Sequence, residues 1–130
     1  MTRDEIVRLE SYMRKRFHLD TIEVRQHPSN PDLAELFIDE DHIGELFRDT
    51  DEGELSYDFS MNFHTDADQL QAFMKDRFKL DSIEVRQRVN KDDSAEVYIA
   101  DEFIGVLFEE DGVHSYAFNM SILDYDLAET

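Results

Sequence analysis

Residues Asp20–Gln26 read DTIEVRQ, and residues Asp81–Gln87 read DSIEVRQ. The match is not local. At an offset of 61, Arg8–Asp49 aligns with Gln69–Glu110; after a two-residue shortening, Gly53–Phe63 aligns with Gly112–Ile122. Roughly 25 identities fall in about 55 aligned positions, far beyond chance. A period of this length in 130 residues allows two copies only. Two copies are too few for a solenoid, which needs three or more to bury a continuous core. The chain therefore divides into tandem units, residues 1–64 and 65–130. Units this small sit at the marginal end of independent stability, so the expectation is a pseudo-two-fold pair within one chain.

Each unit parses the same way. Thr2 and Glu5 in TRDE fit a capping box, and Thr65 with Asp68 is a weaker version. Ile6, Leu9, Met13 and Phe17 fall at helical spacing, as do Leu70, Met74 and Phe78, and the helices should end near His18 and Lys79. Four strand-like runs follow in the first unit: Thr21–Gln26, Ala34–Asp39, His42–Arg48 and Ser56–Phe63. Their counterparts are Ser82–Gln87, Ala95–Ala100, Phe103–Glu109 and Ser115–Ile122. In the last strand of the first unit Tyr57, Phe59, Met61 and Phe63 alternate with Ser56, Asp58, Ser60 and Asn62. Short links (HPSNPD, the turn around Glu40, DTDEG) imply antiparallel hairpins. The predicted class is α+β, each repeat being one helix followed by a four-stranded antiparallel meander.

A tight turn over Asp39–Asp41 would set Ile38 opposite Ile43 and Phe37 opposite Gly44, with Tyr98 opposite Gly105 in the second unit. An aromatic over a cross-strand glycine compensates the bare backbone there. Symmetric pairing of the first hairpin sets Arg25 opposite Glu35 and Arg86 opposite Glu96, as surface ion pairs worth roughly 0.2–1 kcal/mol each. On this register one sheet face collects Ile22, Val24, Ala34, Leu36, Ile38, Ile43, Phe47, Tyr57, Phe59 and Met61, and the helix should cover it. The other face mixes charge with Phe37 and Leu46, and with Tyr98, Phe103 and Leu107 in the second unit. One helix covers one face only, so these five residues are the candidate inter-repeat or partner-binding surface, expected to be largely buried. Glu45 falls on the apolar face where the second unit has Val106. It reads either as a rim carboxylate reaching solvent or Arg16, or as a buried acid of raised pKa.

The net charge of −19 comes from 32 acids against 13 bases, and the excess is spread evenly. Residues 1–65 hold 16 acids and seven bases; the remainder hold 16 and six. Such a surface repels nucleic-acid backbone and anionic membrane, so partners should be neutral or basic proteins. The absence of cysteine excludes disulfides and thiolate metal sites. The N-terminal segment lacks the apolar run of a signal peptide, and no stretch is apolar enough to span a bilayer, which makes the cytoplasm the expected location. No Gly-rich phosphate loop is present, and the five histidines show no paired ligand spacing. HTDAD (His64–Asp68) is better explained by helix capping than by metal binding. DTDEGE (Asp49–Glu54) places its Gly one position early for a calcium loop, and its counterpart EEDG (Glu109–Gly112) is shorter. No catalytic, metal or cofactor site is assigned.

SAEVYIADEFIGVLF (Ser94–Phe108) and NMSILDYDL (Asn119–Leu127) resemble a family of short alphaproteobacterial proteins catalogued as a domain of unknown function. Residues 66–127 follow the pattern along nearly their whole length. Residues 1–63 follow it more loosely, with Glu45 in a charge-free centre and His42 in place of an aromatic. The resemblance implies a bacterial cytoplasmic origin and a duplicated unit, and it brings no activity. The function expected is a non-enzymatic protein–protein interaction module using an aromatic sheet face or edge. The alternatives are an acidic mimic of nucleic-acid charge that occupies a basic protein, and a weak binder of a small ligand or divalent ion. Salt separates the first two, since binding by a mimic collapses as ionic strength rises.

Overall fold

A computed structural model describes residues 1–87, 94–110 and 114–128. Its elements are α1 (Arg3–Phe17), β1 (Ile22–Gln26), β2 (Leu33–Ile38), β3 (Asp41–Asp49), β4 (Ser56–His64), α2 (Leu70–Phe78), β5 (Ile83–Gln87), β6 (Ser94–Ile99), β7 (Glu102–Glu109), β8 (Ser115–Leu123) and α3 (Asp124–Ala128). Short 3₁₀ turns precede β4 (Asp51–Gly53) and α2 (Ala67–Gln69). The class is α+β, with eight antiparallel strands in the order β1-β2-β3-β4-β8-β7-β6-β5. Two compact units divide the chain. The first comprises Met1–Ser60 and Ser121–Thr130, and the second Met61–Met120. The ends of β4 and β8 thus belong to the unit other than the one their sequence repeat would give.

In the first unit, Thr2 accepts from the Glu5 backbone N–H while the Glu5 carboxylate accepts from the Thr2 N–H, completing the capping box. The helix stops at His18, whose φ of 52° turns the chain out, and Leu19 N–H returns to the Arg14 carbonyl. Leu9, Tyr12, Met13 and Phe17 are its buried face. Arg14 Nε donates to the Ile22 carbonyl at 2.8 Å and fixes α1 against the edge strand. In the second unit the start differs. No Thr65 cap forms; a 3₁₀ turn leads into α2, whose Met74 and Phe78 are buried and which ends at Lys79 with φ 52°. Gln71 Oε1 accepts from Val85 N–H and ties α2 to β5. The helix α3 was not expected; it follows β8 directly, with Asp126 accepting from Leu123 N–H and Leu127 buried.

The register of β2 with β3 departs from expectation. The turn holds two residues, Asp39 and Glu40 (φ 50° and 74°), so Ile38 faces Asp41 and Phe37 faces His42. An extra residue, Ile43, then bulges out and Leu36 faces Gly44. The second unit repeats this. Ala100 and Asp101 turn, Tyr98 faces Phe103, and Val97 faces Gly105. A one-residue slip moves side chains to the opposite face. Ile22, Val24, Ala34, Leu36, Leu46, Tyr57, Phe59 and Met61 therefore form the helix-covered face of the first unit, all nearly or fully buried. Phe47 lies on the other face, 43% exposed, and so does Glu45, which pairs in register with Ser60 and Glu35. Neither belongs to the apolar layer assigned to it from sequence. The aromatic over each glycine also comes from elsewhere: a Cβ on Gly44 would lie 2.8 Å from the Phe59 ring and 2.5 Å from the Ser60 carbonyl oxygen. At Gly105 it would meet Phe118 and the Asn119 carbonyl.

Candidate functional site

In each unit the sheet face away from the helix holds the exposed aromatics of the strands. In the second unit it carries Glu84, Arg86, Glu96, Tyr98, Phe103, Val106 and Phe108, as the pairs Glu84 with Tyr98, Arg86 with Glu96, Tyr98 with Phe103 and Glu96 with Val106 establish. The Arg86 guanidinium stacks 4.0 Å above the Tyr98 ring, and Tyr98 meets Phe103 edge-on at 5.8 Å. The first unit builds the same row with Arg25 4.1 Å above Phe37, and Phe37 edge-on to His42 at 5.3 Å. Arginine over an aromatic adds about 0.5–1 kcal/mol at an exposed site. Each arginine is held by its neighbours. Arg25 bonds Glu23 at 2.7 Å and Glu40 at 3.4 Å; Arg86 bonds Glu84 at 2.8 Å and Asp101 at 2.6 Å. These bonds lower the pKa of Glu23 and of Glu84. The ion pairs expected with Glu35 and Glu96 give way to these. Glu35 instead meets His42 at 3.2 Å, and Glu96 accepts from the Tyr98 hydroxyl at 3.2 Å.

The five residues singled out in the sequence separate. Phe37 lies on the outer face of the first unit and Tyr98 and Phe103 on that of the second, the first two half-buried and Phe103 50% exposed. Leu46 and Leu107 are fully buried on the helix-covered face, opposite Phe59 and Phe118. The bulge at Ile43 and Ile104 is the reason. It also brings Phe47 and Phe108, the latter 39% exposed, onto the outer face. The residues of HTDAD are spent locally: His64 meets Ser115 Oγ at 3.1 Å and Asp66 meets His114 at 3.4 Å. In DTDEGE, Asp49 Oδ1 accepts from Asp51 N–H and Gly53 turns with φ 77°. Asp111 and Gly112 of its shorter counterpart lie outside the described residues. Among the described residues, no group of three His, Asp or Glu side chains is placed to hold a metal. No helix is long and apolar enough to cross a membrane.

Two further arrangements were not legible as sites. In the first unit Glu5 accepts three bonds: from Thr2 N–H at 2.8 Å, Arg48 Nε at 2.8 Å and the Tyr57 hydroxyl at 2.5 Å. Burial pushes its pKa up, but the bonds from Thr2, Tyr57 and Arg48 outweigh this and bring it from 4.5 to about 2. Burial, with the hydrogen bond to Glu5, pushes the Tyr57 phenol up. In the second unit the corresponding place is a cavity of about 90 Å³ lined by Ala67, Leu70, Gln87, Ser94, Ala95, Leu107, Glu109 and Tyr116. Tyr116 is the counterpart of Tyr57, yet its hydroxyl makes no hydrogen bond to a described residue. Burial, reinforced by the charges of Glu109 and Asp66, pushes its phenol up. The signal for both was the change from Arg48 to Glu109 between two otherwise matched strands.

The fold and surface define a small, strongly acidic α+β protein made of two copies of one sequence unit. The chain belongs to the DUF3126 family, described as a protein of unknown function, whose pattern matches twice, over residues 5–66 and 66–126. No curated protein and no solved structure matches the chain.

Proposed function

We propose that this protein is a non-enzymatic, cytoplasmic bacterial interaction module that docks a neutral or basic protein on its aromatic outer sheet face. The observation carrying this reading is Phe103, half exposed against Tyr98, with Phe108 further along the same strand and face. Large aromatics left in water beside a rigid, arginine-braced row are the anchors that interface cores use. The carboxylates of Glu84 and Glu96 flank them and favour a partner with positive charge at its rim. We further propose that repeats 1–64 and 65–130 pair about a pseudo-two-fold axis. The mirrored strand order and the doubled family match support this.

Affinity capture from native bacterial extract, with wild type and with the Phe103→Ser/Phe108→Ser variant, tests the docking. A partner retained by wild type in high salt and lost by the variant supports it. A partner released by salt from both proteins alike would replace the reading with charge mimicry. Capture unchanged in the variant would remove the aromatic face from the function.

A further inference from the structure

The cavity of the second unit is what remains when three side chains of the first unit are replaced. Ile6, Leu33 and Arg48 become Ala67, Ser94 and Glu109 in the repeat register, while Leu70, Gln87, Ala95, Leu107 and Tyr116 keep the identity of their counterparts. On the helix side Ile6 shrinks to Ala67, which opens space; one cation becomes an anion, which reverses the charge at its mouth. The counterpart of Glu5 is Asp66, also an acid. So where the first unit joins Glu5 to Arg48 and Tyr57, the second presents Asp66, Glu109 and an unbonded Tyr116 hydroxyl. Tyr116 is only 7% exposed and lines the cavity. Its hydroxyl, which no described residue bonds, is open to a donor or acceptor entering the cavity. The floor of Ala95, Leu107 and Leu70 suits an alkyl stem, and the exposed carboxylates of Asp66 and Glu109 suit a planar cation. Among the described residues, His114 lies 3.4 Å from Asp66 and is charged only when protonated.

We propose that this cavity receives an arginine side chain of the partner protein, its guanidinium taking in trans the place that Arg48 fills in cis in the first unit. The proposal rests on the reading of the chain as a docking module for a neutral or basic protein. It differs in locating a specific anchor on the helix side of the second unit. Arginine is favoured over lysine because its planar fork can meet two carboxylates at once, whereas an ammonium is a point charge.

The test uses the full chain and a small probe, N-acetyl-arginine amide, followed by NMR chemical-shift titration. Its neutral citrulline analogue and N-acetyl-lysine amide serve as comparators. The expected result is saturable shifts at Ala67, Ser94, Glu109 and Tyr116, no binding of citrulline and weaker binding of lysine. Glu109→Arg should weaken the probe by at least about tenfold, the loss of one charge-assisted contact. It should also raise the melting temperature, by restoring the pairing seen in the first unit. Ala67→Ile, which restores the first unit's side chain at that position, fills the cavity without touching charge and should block the probe equally. Shifts spread over carboxylates throughout the chain, or binding undiminished in Ala67→Ile, would overturn the proposal. Because the probe is independent of any captured protein, its binding can succeed while the aromatic-face variant retains its partner, and the reverse.

Discussion

Glu5→Gln isolates a carboxylate whose pKa is strongly lowered in the folded protein. The folded pKa of Glu5 is about 2, against 4.5 for the free group. At about 1.36 kcal/mol per unit, that difference corresponds to roughly 3 kcal/mol of stability. The Glu5 side chain is 15% exposed but its Arg48 partner is 34% exposed, so solvent screening brings the expected value to about 2 kcal/mol. Because the folded pKa lies below the unfolded one, this contribution is complete above pH 4.5. It is lost as pH falls from there toward 2, when Glu5 protonates in the folded protein as well. Urea unfolding of wild type and variant at several pH values reads it directly. The general acid sensitivity of so acidic a chain affects both proteins and cancels in the difference. The variant should be less stable by about 2 kcal/mol at pH 7, with the gap narrowing steadily below pH 4.5. A gap constant from pH 7 to pH 2.5 would show that the loss is packing, and no gap at pH 7 would remove the Glu5–Arg48–Tyr57 cluster from the stability of the first unit.

Three further outcomes follow from the backbone. Gly44→Ala and Gly105→Ala should each destabilise by about 1–3 kcal/mol in thermal melts, because the added methyl meets a carbonyl oxygen and a packed ring at once; an unchanged melting temperature would refute the tight approach. Ala100 turns with φ 50°, a conformation that glycine adopts without penalty, so Ala100→Gly should stabilise by about 0.5–1 kcal/mol in urea unfolding. Phe103→Ser should cost less than about 1 kcal/mol in the same assay, since half of the ring is already in water; a larger loss would mean that Phe103 is a core residue rather than an available anchor.

The elements were legible where a period carried them. Alternation in Ser56–Phe63 places its buried residues correctly, and helical spacing in α1 finds Leu9, Met13 and Phe17 but includes the part-exposed Ile6 and misses Tyr12, because burial selects every second or every third to fourth side chain. The register between β2 and β3 was not legible, because a bulge adds one residue without changing composition. The two-residue turns add to the difficulty. They are built on Asp39–Glu40 and Ala100–Asp101, not on the Asn-Gly or Asp-Gly pairs that announce such turns. The slip exchanged Leu46 and Leu107 for Phe47 and Phe108, so Phe37, Tyr98 and Phe103 lie on the outer face of their units and the two leucines on the helix-covered face. The Glu5–Arg48 contact joins residues 43 apart, and no local spacing rule encodes it. The helix α3 is five residues long, below the length at which periodicity separates a helix from a polar turn.

Where the two repeats agree and where they differ have separate physical causes. The glycine under a ring, the arginine over an aromatic, the paired positive-φ turn residues and the bulged isoleucine recur in both copies. Each is a local solution to the geometry of one twisted meander, and either copy would lose packing without it. One group of differences falls at the start of the helix against the β3–β4 or β7–β8 hairpin. There the first repeat has a full capping box, an extra helical turn and a carboxylate closed by arginine and tyrosine. The second has a 3₁₀ entry, smaller side chains and two acids around an unbonded hydroxyl. A short, weakly capped helix over a cavity costs stability. Space, a hydroxyl open to solvent and a charge to match are what the proposed arginine pocket requires, and the rest of its lining is kept nearly residue for residue.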